Sequence, residues 1–123
     1  MFGLILTEGF FDVAKLVEAG CRNAVALMGS TISVEQIERL VWIRSRVRFP
    51  RTLLFLDRDP AGKTGALQVQ ERLSHHGFSV TVFDWEQLVP FNGQEPQPIP
   101  ESIQDPADMP VEQLQTLRRH GIL

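Results

Sequence analysis

Arg51-Thr52-Leu53-Leu54-Phe55-Leu56-Asp57-Arg58-Asp59 is the stretch that decides the fold. Its apolar residues run together instead of alternating, so it reads as a strand covered on both faces, the kind found at the centre of a parallel sheet. Asp57 and Asp59 fall at and just past the end of that strand, and Pro60 falls where a first helical turn accepts proline. Ala66, Val69 and Leu73 then supply one apolar helical face up to Gly77, and FSVTVFDW (78–85) alternates like a further strand.

The chain before this stretch has the same rhythm. GLILTE (3–8) is a short apolar run closed by Glu8. Phe10, Val13 and Val17, at i, i+3 and i+7, predict the apolar face of an amphipathic helix that Gly20 stops. AVALMG (24–29) reads as a strand closed by Gly29. Ser33 is an N-cap with Gln36 at the capping-box position, and Val34, Ile37, Leu40 and Val41 form the next apolar face. The order β-α-β-α-β-α-β predicts an α/β domain: an open, mostly parallel four-stranded sheet with helices on both faces and right-handed crossovers.

Past the fourth strand the pattern breaks. Pro90, Pro96, Pro98, Pro100 and Pro106 interrupt the stretch 86–110, which is expected to be a long surface loop. PVEQLQTLRRHG predicts a closing helix over 110–120, with Gly121 after its end. The whole of 1–123 is expected to be one domain.

Composition bounds the function. With 43% hydrophobic and 22% charged residues and a mean hydropathy of −0.05, the chain has the make-up of an ordinary globular protein. No apolar run is long enough for a membrane span and the start lacks signal-peptide features, so the expected location is the cytoplasm, away from membranes. The single cysteine, Cys21, excludes an intramolecular disulfide and a cysteine zinc cluster, leaving oxygen or histidine ligands for any metal. A net charge of −3 argues against a grip on nucleic acid through bulk positive charge, so phosphate contacts must be local.

Ligands of open α/β sheets bind outside the carboxyl ends of the strands, where Glu8, Asp57 and Asp59 fall. If the two strands are neighbours, about 4.8 Å apart, these carboxylates can share a hard cation, for which Mg²⁺ is the natural choice. Each acid also reads as a helix cap or a solvated loop charge. Arg44, Arg46, Arg48 and Arg51 form a basic cluster that can hold a phosphodiester backbone or simply solvate a helix end. Lys63 carries the same two readings, and His75 and His76 read as surface residues at a helix end.

Four blocks occur in order: Glu8-Gly9-x-x-Asp12, Ala26-Leu27-Met28-Gly29-Ser30, Asp57-x-Asp59-x-Ala61-Gly62, and Asp105-Pro106-Ala107-Asp108. Together they resemble the TOPRIM domain of bacterial replicative primases and phage primase-helicases, a Rossmann-like fold. The last block departs from the cellular primases, which commonly have one residue between its aspartates where this chain has two.

The resemblance implies that Glu8 acts as general acid, general base or metal ligand, and that Asp57 and Asp59 are the principal ligands of Mg²⁺, with Mn²⁺ as a substitute. Asp12, Asp105 and Asp108 would complete the cluster, although Asp12 also reads as a first-turn helix charge and Asp108 as a cap. Gly9, Gly29 and Gly62 would let backbone come close to the site. The implied activity is Mg²⁺-dependent chemistry on nucleic-acid phosphodiesters, as in DNA replication. It would be nucleotidyl transfer with a helicase or primase-related partner subunit, or nuclease cleavage; the alternative is a nucleic-acid-binding or partner-binding module without turnover. DNA and RNA are equally open as substrates.

Overall fold

β1 (Leu4–Thr7) is buried along its whole length and pairs in parallel with β2 (Ala24–Ala26) on one side and β3 (Thr52–Leu54) on the other. β4 (Val80–Val82) adds to the far edge of β3, giving a four-stranded parallel sheet of order β2-β1-β3-β4. The computed structural model describes residues 2–48, 51–91 and 94–123. Phe49 and Pro50 of the arginine-rich stretch, and Asn92 and Gly93 of the proline-rich one, lie outside the described residues. The helices that connect the sheet strands are α1 (Phe10–Glu18), α2 (Val34–Arg44) and α3 (Pro60–His75). The expected α/β architecture is therefore the observed one, and the expected adjacency of the strands ending at Glu8 and Asp57 holds through the register Leu6 opposite Leu54.

The central strands face two cores because successive side chains point to opposite sides of a sheet. Ile5, Leu53 and Phe55 enter one core with Leu16 of α1 and Ala19, which caps its C-terminus; Leu4, Leu6, Leu54 and Leu56 enter the other with residues of α2 and α3. In the first core Phe55, Phe83 and Trp85 form an aromatic cluster with ring centroids 4.2, 5.4 and 5.1 Å apart. The Trp85 indole N–H donates to the Leu56 carbonyl at 3.0 Å, which satisfies its one polar atom.

Local signals act as read at several points. Ser33 and Gln36 exchange the two hydrogen bonds of a capping box, 3.1 and 2.9 Å long, and Ala66, Val69 and Leu73 are the buried face of α3. Ile37 and Leu40 are buried on α2, but Val34, in its first turn, is exposed.

Helix α1 departs from expectation. Its buried row is Asp12 and Leu16, continued by Ala19 just past its end, whereas Phe10 and Val17 are exposed. The Asp12 carboxylate accepts the amides of Gly9 and Ala107, at 3.1 and 3.0 Å, and this turns the Asp12–Leu16 row inward. An apolar periodicity cannot anticipate a buried acid.

The stretch 86–110 also differs from the expected loop. It contains an antiparallel hairpin, β5 (Leu88–Phe91) with β6 (Gln94–Pro98), followed by a 3₁₀ turn at Pro106–Asp108 and then α4 (Val111–Arg119). The hairpin escapes sequence reading because β6, QEPQP, is exposed throughout, so it has no alternation of burial to detect. Its prolines are tolerated because a strand outside the main sheet can spare N–H groups on its open side. Val89 and Ile99 fasten the hairpin into the first core, and the Gln113 side chain of α4 donates to the Pro90 carbonyl at 2.9 Å. No helix among the described residues is long and apolar enough to cross a membrane.

Candidate metal centre

β1 and β3 are the strands between which the chain reverses direction across the sheet, so their carboxyl ends open a crevice. Three carboxylates meet there. Asp12 comes from the first turn of α1, Asp57 from the end of the β3 segment, and Asp105 from the start of the 3₁₀ turn; each can offer an oxygen within 4.8 Å of the others. They line a cavity of about 350 Å³ together with Glu8, Gly9, Phe11, Met28, Gly29 and Ala107.

Each acid is fixed differently. Asp12 is buried and held by the amides of Gly9 and Ala107, so it ties α1 to the 3₁₀ turn. Asp105 accepts the Asp108 amide at 2.8 Å, and Asp108 in turn accepts the Gln104 amide at 2.9 Å. Asp108 is thus engaged in shaping the turn that presents Asp105 and stands apart from the three grouped carboxylates. Asp57 is the exception: its buried Oδ1 has no hydrogen-bond partner among the described residues. A buried, unpartnered carboxylate oxygen loses the full desolvation free energy of that atom unless something cationic meets it.

Glu8 sits beside the grouping. Its Oε1 accepts the Asp57 amide at 3.3 Å. Burial, reinforced by the charges of Glu8, Asp12 and Asp105, pushes the Asp57 carboxyl up to about 7, and burial also raises Asp12. A hard divalent cation is the species that relieves such crowding, and the all-carboxylate donor set suits one.

Asp59 is placed elsewhere. Its Oδ1 accepts the Gly62 amide at 2.6 Å and caps α3, one of the two roles its sequence position offers beside metal binding. Gly62 is needed for a close approach: a Cβ there would lie 2.1 Å from the Asp57 carbonyl oxygen. Gly65, which the sequence does not single out, is equally constrained, since its Cβ would lie 2.2 Å from the Ser30 carbonyl oxygen. Gly9 is less demanding, with only the Asp12 carboxylate 3.4 Å from a built Cβ, and nothing lies near one at Gly29.

Nothing in the sequence singles out Arg58, between the two aspartates. Its guanidinium donates to the carbonyls of Pro100 at 2.8 Å and of Ile99 and Ile103 at 3.3 Å, while its own amide donates to Gln104 at 2.7 Å. It therefore fastens the Asp57–Asp59 loop to the segment that delivers Asp105. Its spacing in the sequence carries no signal, because its partners are mostly backbone carbonyls some forty positions on, with the Trp85 carbonyl at 3.5 Å and the Glu86 carboxylate at 3.8 Å besides.

The basic residues do not join this cavity. Arg44 ends α2 and Arg51 precedes β3, so their cluster lies at the amino end of the sheet, opposite the carboxylates. Arg44 lies 4.0 Å over the Phe78 ring, Arg46 3.9 Å over Trp42 and Arg51 4.5 Å over Phe2, while Arg48 is exposed. Lys63, in the first turns of α3, pairs with Glu86 at 3.7 Å across an exposed surface.

Residues 3–84 match the family model of the Toprim domain. The chain is 36% identical over 84 residues to the DNA primase of Mycoplasma pneumoniae, covering 68% of this chain and 13% of that protein. It is 40% identical over 79 residues to the DNA primase of Staphylococcus epidermidis, covering 64% and 12%. Uncharacterized protein MG010 of Mycoplasma genitalium is 32% identical over 96 residues, covering 72% of this chain and 42% of that one. The chain thus spans a small part of the primases it matches and less than half of MG010. Among solved structures, a putative protein from Aquifex aeolicus superposes with a TM-score of 0.51 at 26% identity, over 63% of this chain and 67% of that one.

Proposed function

This chain belongs to the Toprim domain family, and on that premise we propose that it holds a divalent cation, Mg²⁺ by preference, for chemistry on nucleic-acid phosphodiesters. The observation that supports this reading is the buried, unpartnered Oδ1 of Asp57, a residue that can offer a carboxylate oxygen within 4.8 Å of those of Asp12 and Asp105.

Asp12, Asp57 and Asp105 would hold the ion. When bound, it would supply a Lewis acid for a phosphoryl oxygen and offset the carboxylate charge that otherwise repels a phosphodiester. Asp12 keeps α1 and the 3₁₀ turn in register, so Asp105 is presented without further rearrangement. Glu8 accepts the Asp57 amide and lines the same cavity, which puts its carboxylate where a proton can be taken up or returned. Asp59, expected with Asp57 as a principal ligand, caps α3 through the Gly62 amide, and Asp108, expected to complete the cluster, holds the Gln104 amide.

Nucleotidyl transfer with a helicase or primase-related partner is the first activity to test, because the named relatives are DNA primases; cleavage of a single strand is the second. A module that binds without turnover is favoured by the position of the arginine cluster, which leaves the carboxylate cavity without a basic wall among its described lining residues. The deciding experiment is calorimetric titration of Mg²⁺ and Mn²⁺ into the wild type and into Asp57→Asn. Binding that the variant loses supports the centre and justifies assays of transfer and cleavage on DNA and RNA single strands. Equal binding, or none in either protein, sinks it.

A further inference from the structure

Two large apolar side chains share the lining of the carboxylate cavity. Phe11 is 78% exposed and Met28 is 73% exposed, yet both line the same cavity as Glu8, Asp12, Asp57 and Asp105. Single exposed apolar side chains are ordinary, but two converging on one carboxylate cavity form a surface with two chemistries. Phe10, itself 65% exposed, stands edge-on to Phe11 with ring centroids 5.9 Å apart and planes at 72°, so the second ring buttresses the first.

Met28 carries a further mark. Among the described residues it is the one non-glycine with a positive φ, at 65°, in the left-handed region that disfavours residues with a Cβ. The strain sits in the Leu27–Gly29 turn that faces the site, held by Leu27 N–H on the Thr7 carbonyl and Gly29 N–H on the Glu8 carbonyl. Strain maintained at the mouth of a cavity points to a constraint from function.

We infer that Phe11 and Met28 form a contact platform for a nucleobase of a single-stranded nucleic acid bound at the carboxylate cavity. The inference rests on the proposed phosphodiester chemistry and names the part of the substrate that it leaves unassigned. No lysine or arginine is among the described residues lining the cavity, so the grip on a strand there cannot come from local positive side chains. A flat neutral ring is the part of a nucleotide that an aromatic face and a polarisable thioether attract without opposing the carboxylates. Only an unpaired strand offers that face, because bases within a duplex are stacked on one another. The contact is indifferent to base identity, since every base has a π-face.

The test is fluorescence anisotropy with a labelled single strand of about 10 nucleotides and a strand of equal length made of abasic residues, each with and without Mg²⁺, alongside calorimetry with Mg²⁺ alone. The wild type is expected to bind the base-bearing strand roughly 5- to 100-fold more tightly than the abasic one. Phe11→Ala and Met28→Ala bring that ratio toward one while leaving Mg²⁺ affinity within about twofold, and Phe11→Trp retains it. Failure of Mg²⁺ binding with the base-dependent ratio intact overturns the metal reading and supports the platform. Equal binding of the two strands, no strand binding, or a ratio unchanged in Phe11→Ala overturns the platform. So does a concentration-dependent dimer that Phe11→Ala dissolves, which assigns the rim to a second copy of the chain.

Discussion

Asp12 Oδ1 accepts the backbone amide of Ala107 at 3.0 Å, a bond between positions 95 residues apart that places Asp105 beside Asp57. Through it, an acid of the first helix organises the last piece of the candidate centre.

Asp12→Ala leaves the amides of Gly9 and Ala107 without an acceptor, at about 1–3 kcal/mol of stability by the desolvation of buried donors. Denaturant unfolding is expected to show that loss, and Mg²⁺ affinity is expected to fall with it. A variant with unchanged stability would show the Ala107 bond to be dispensable.

Stability of the metal-free protein depends on pH in a defined direction. The Asp57 carboxyl is raised to about 7 in the folded chain, above its unfolded value near ~3.9, so the folded state binds the proton more tightly. This contribution is fully present below the unfolded value and disappears as pH rises through about 7. Melting temperature is therefore expected to fall across that window, less steeply in Asp57→Asn, and added Mg²⁺ is expected to restore it most at the alkaline end. A wild-type profile that parallels the variant's would contradict the placement of Asp57.

Asp59 separates capping from charge. Asp59→Ala removes the acceptor for the Gly62 amide and is expected to lower stability by about 0.5–2 kcal/mol, whereas Asp59→Asn keeps a side-chain acceptor and most of the stability. Asp59→Asn is also expected to reduce Mg²⁺ affinity less than Asp57→Asn, as calorimetry on the pair would read.

Gly62→Ala and Gly65→Ala both drive a methyl into backbone oxygen, at 2.1 and 2.2 Å, so each is expected to destabilise by about 1–3 kcal/mol. Only the first clash involves the carbonyl of Asp57, so only Gly62→Ala is expected to weaken cation binding beyond the stability loss. Urea midpoints and Mg²⁺ titrations on both variants would distinguish them.

Arg58→Met keeps much of the side chain's length but withdraws the donors from the carbonyls of Ile99, Pro100 and Ile103. A loss of about 2–3 kcal/mol is expected. Limited proteolysis is expected to cut within 99–104 sooner than in the wild type. Unchanged cleavage would show that the segment is held by Ile99 and Ile103 packing alone.

Much of this architecture is legible in the residues themselves. The unbroken apolar run Leu53–Leu56 announces a doubly covered strand, Ser33 with Gln36 announces a helix start, and the acids at strand ends announce the crevice, because each signal lies within a few positions and follows backbone periodicity. The family resemblance adds Asp12 and Asp105 to the candidate set. What the tertiary structure decides is how the candidates divide. Asp57 keeps a bare oxygen while Asp59 spends one on Gly62, Arg58 clamps three distant carbonyls, and α1 turns Asp12 inward and Phe11 outward. Those outcomes depend on partners up to 95 positions away and on which backbone groups need satisfying once buried, and no local pattern of residue types encodes either.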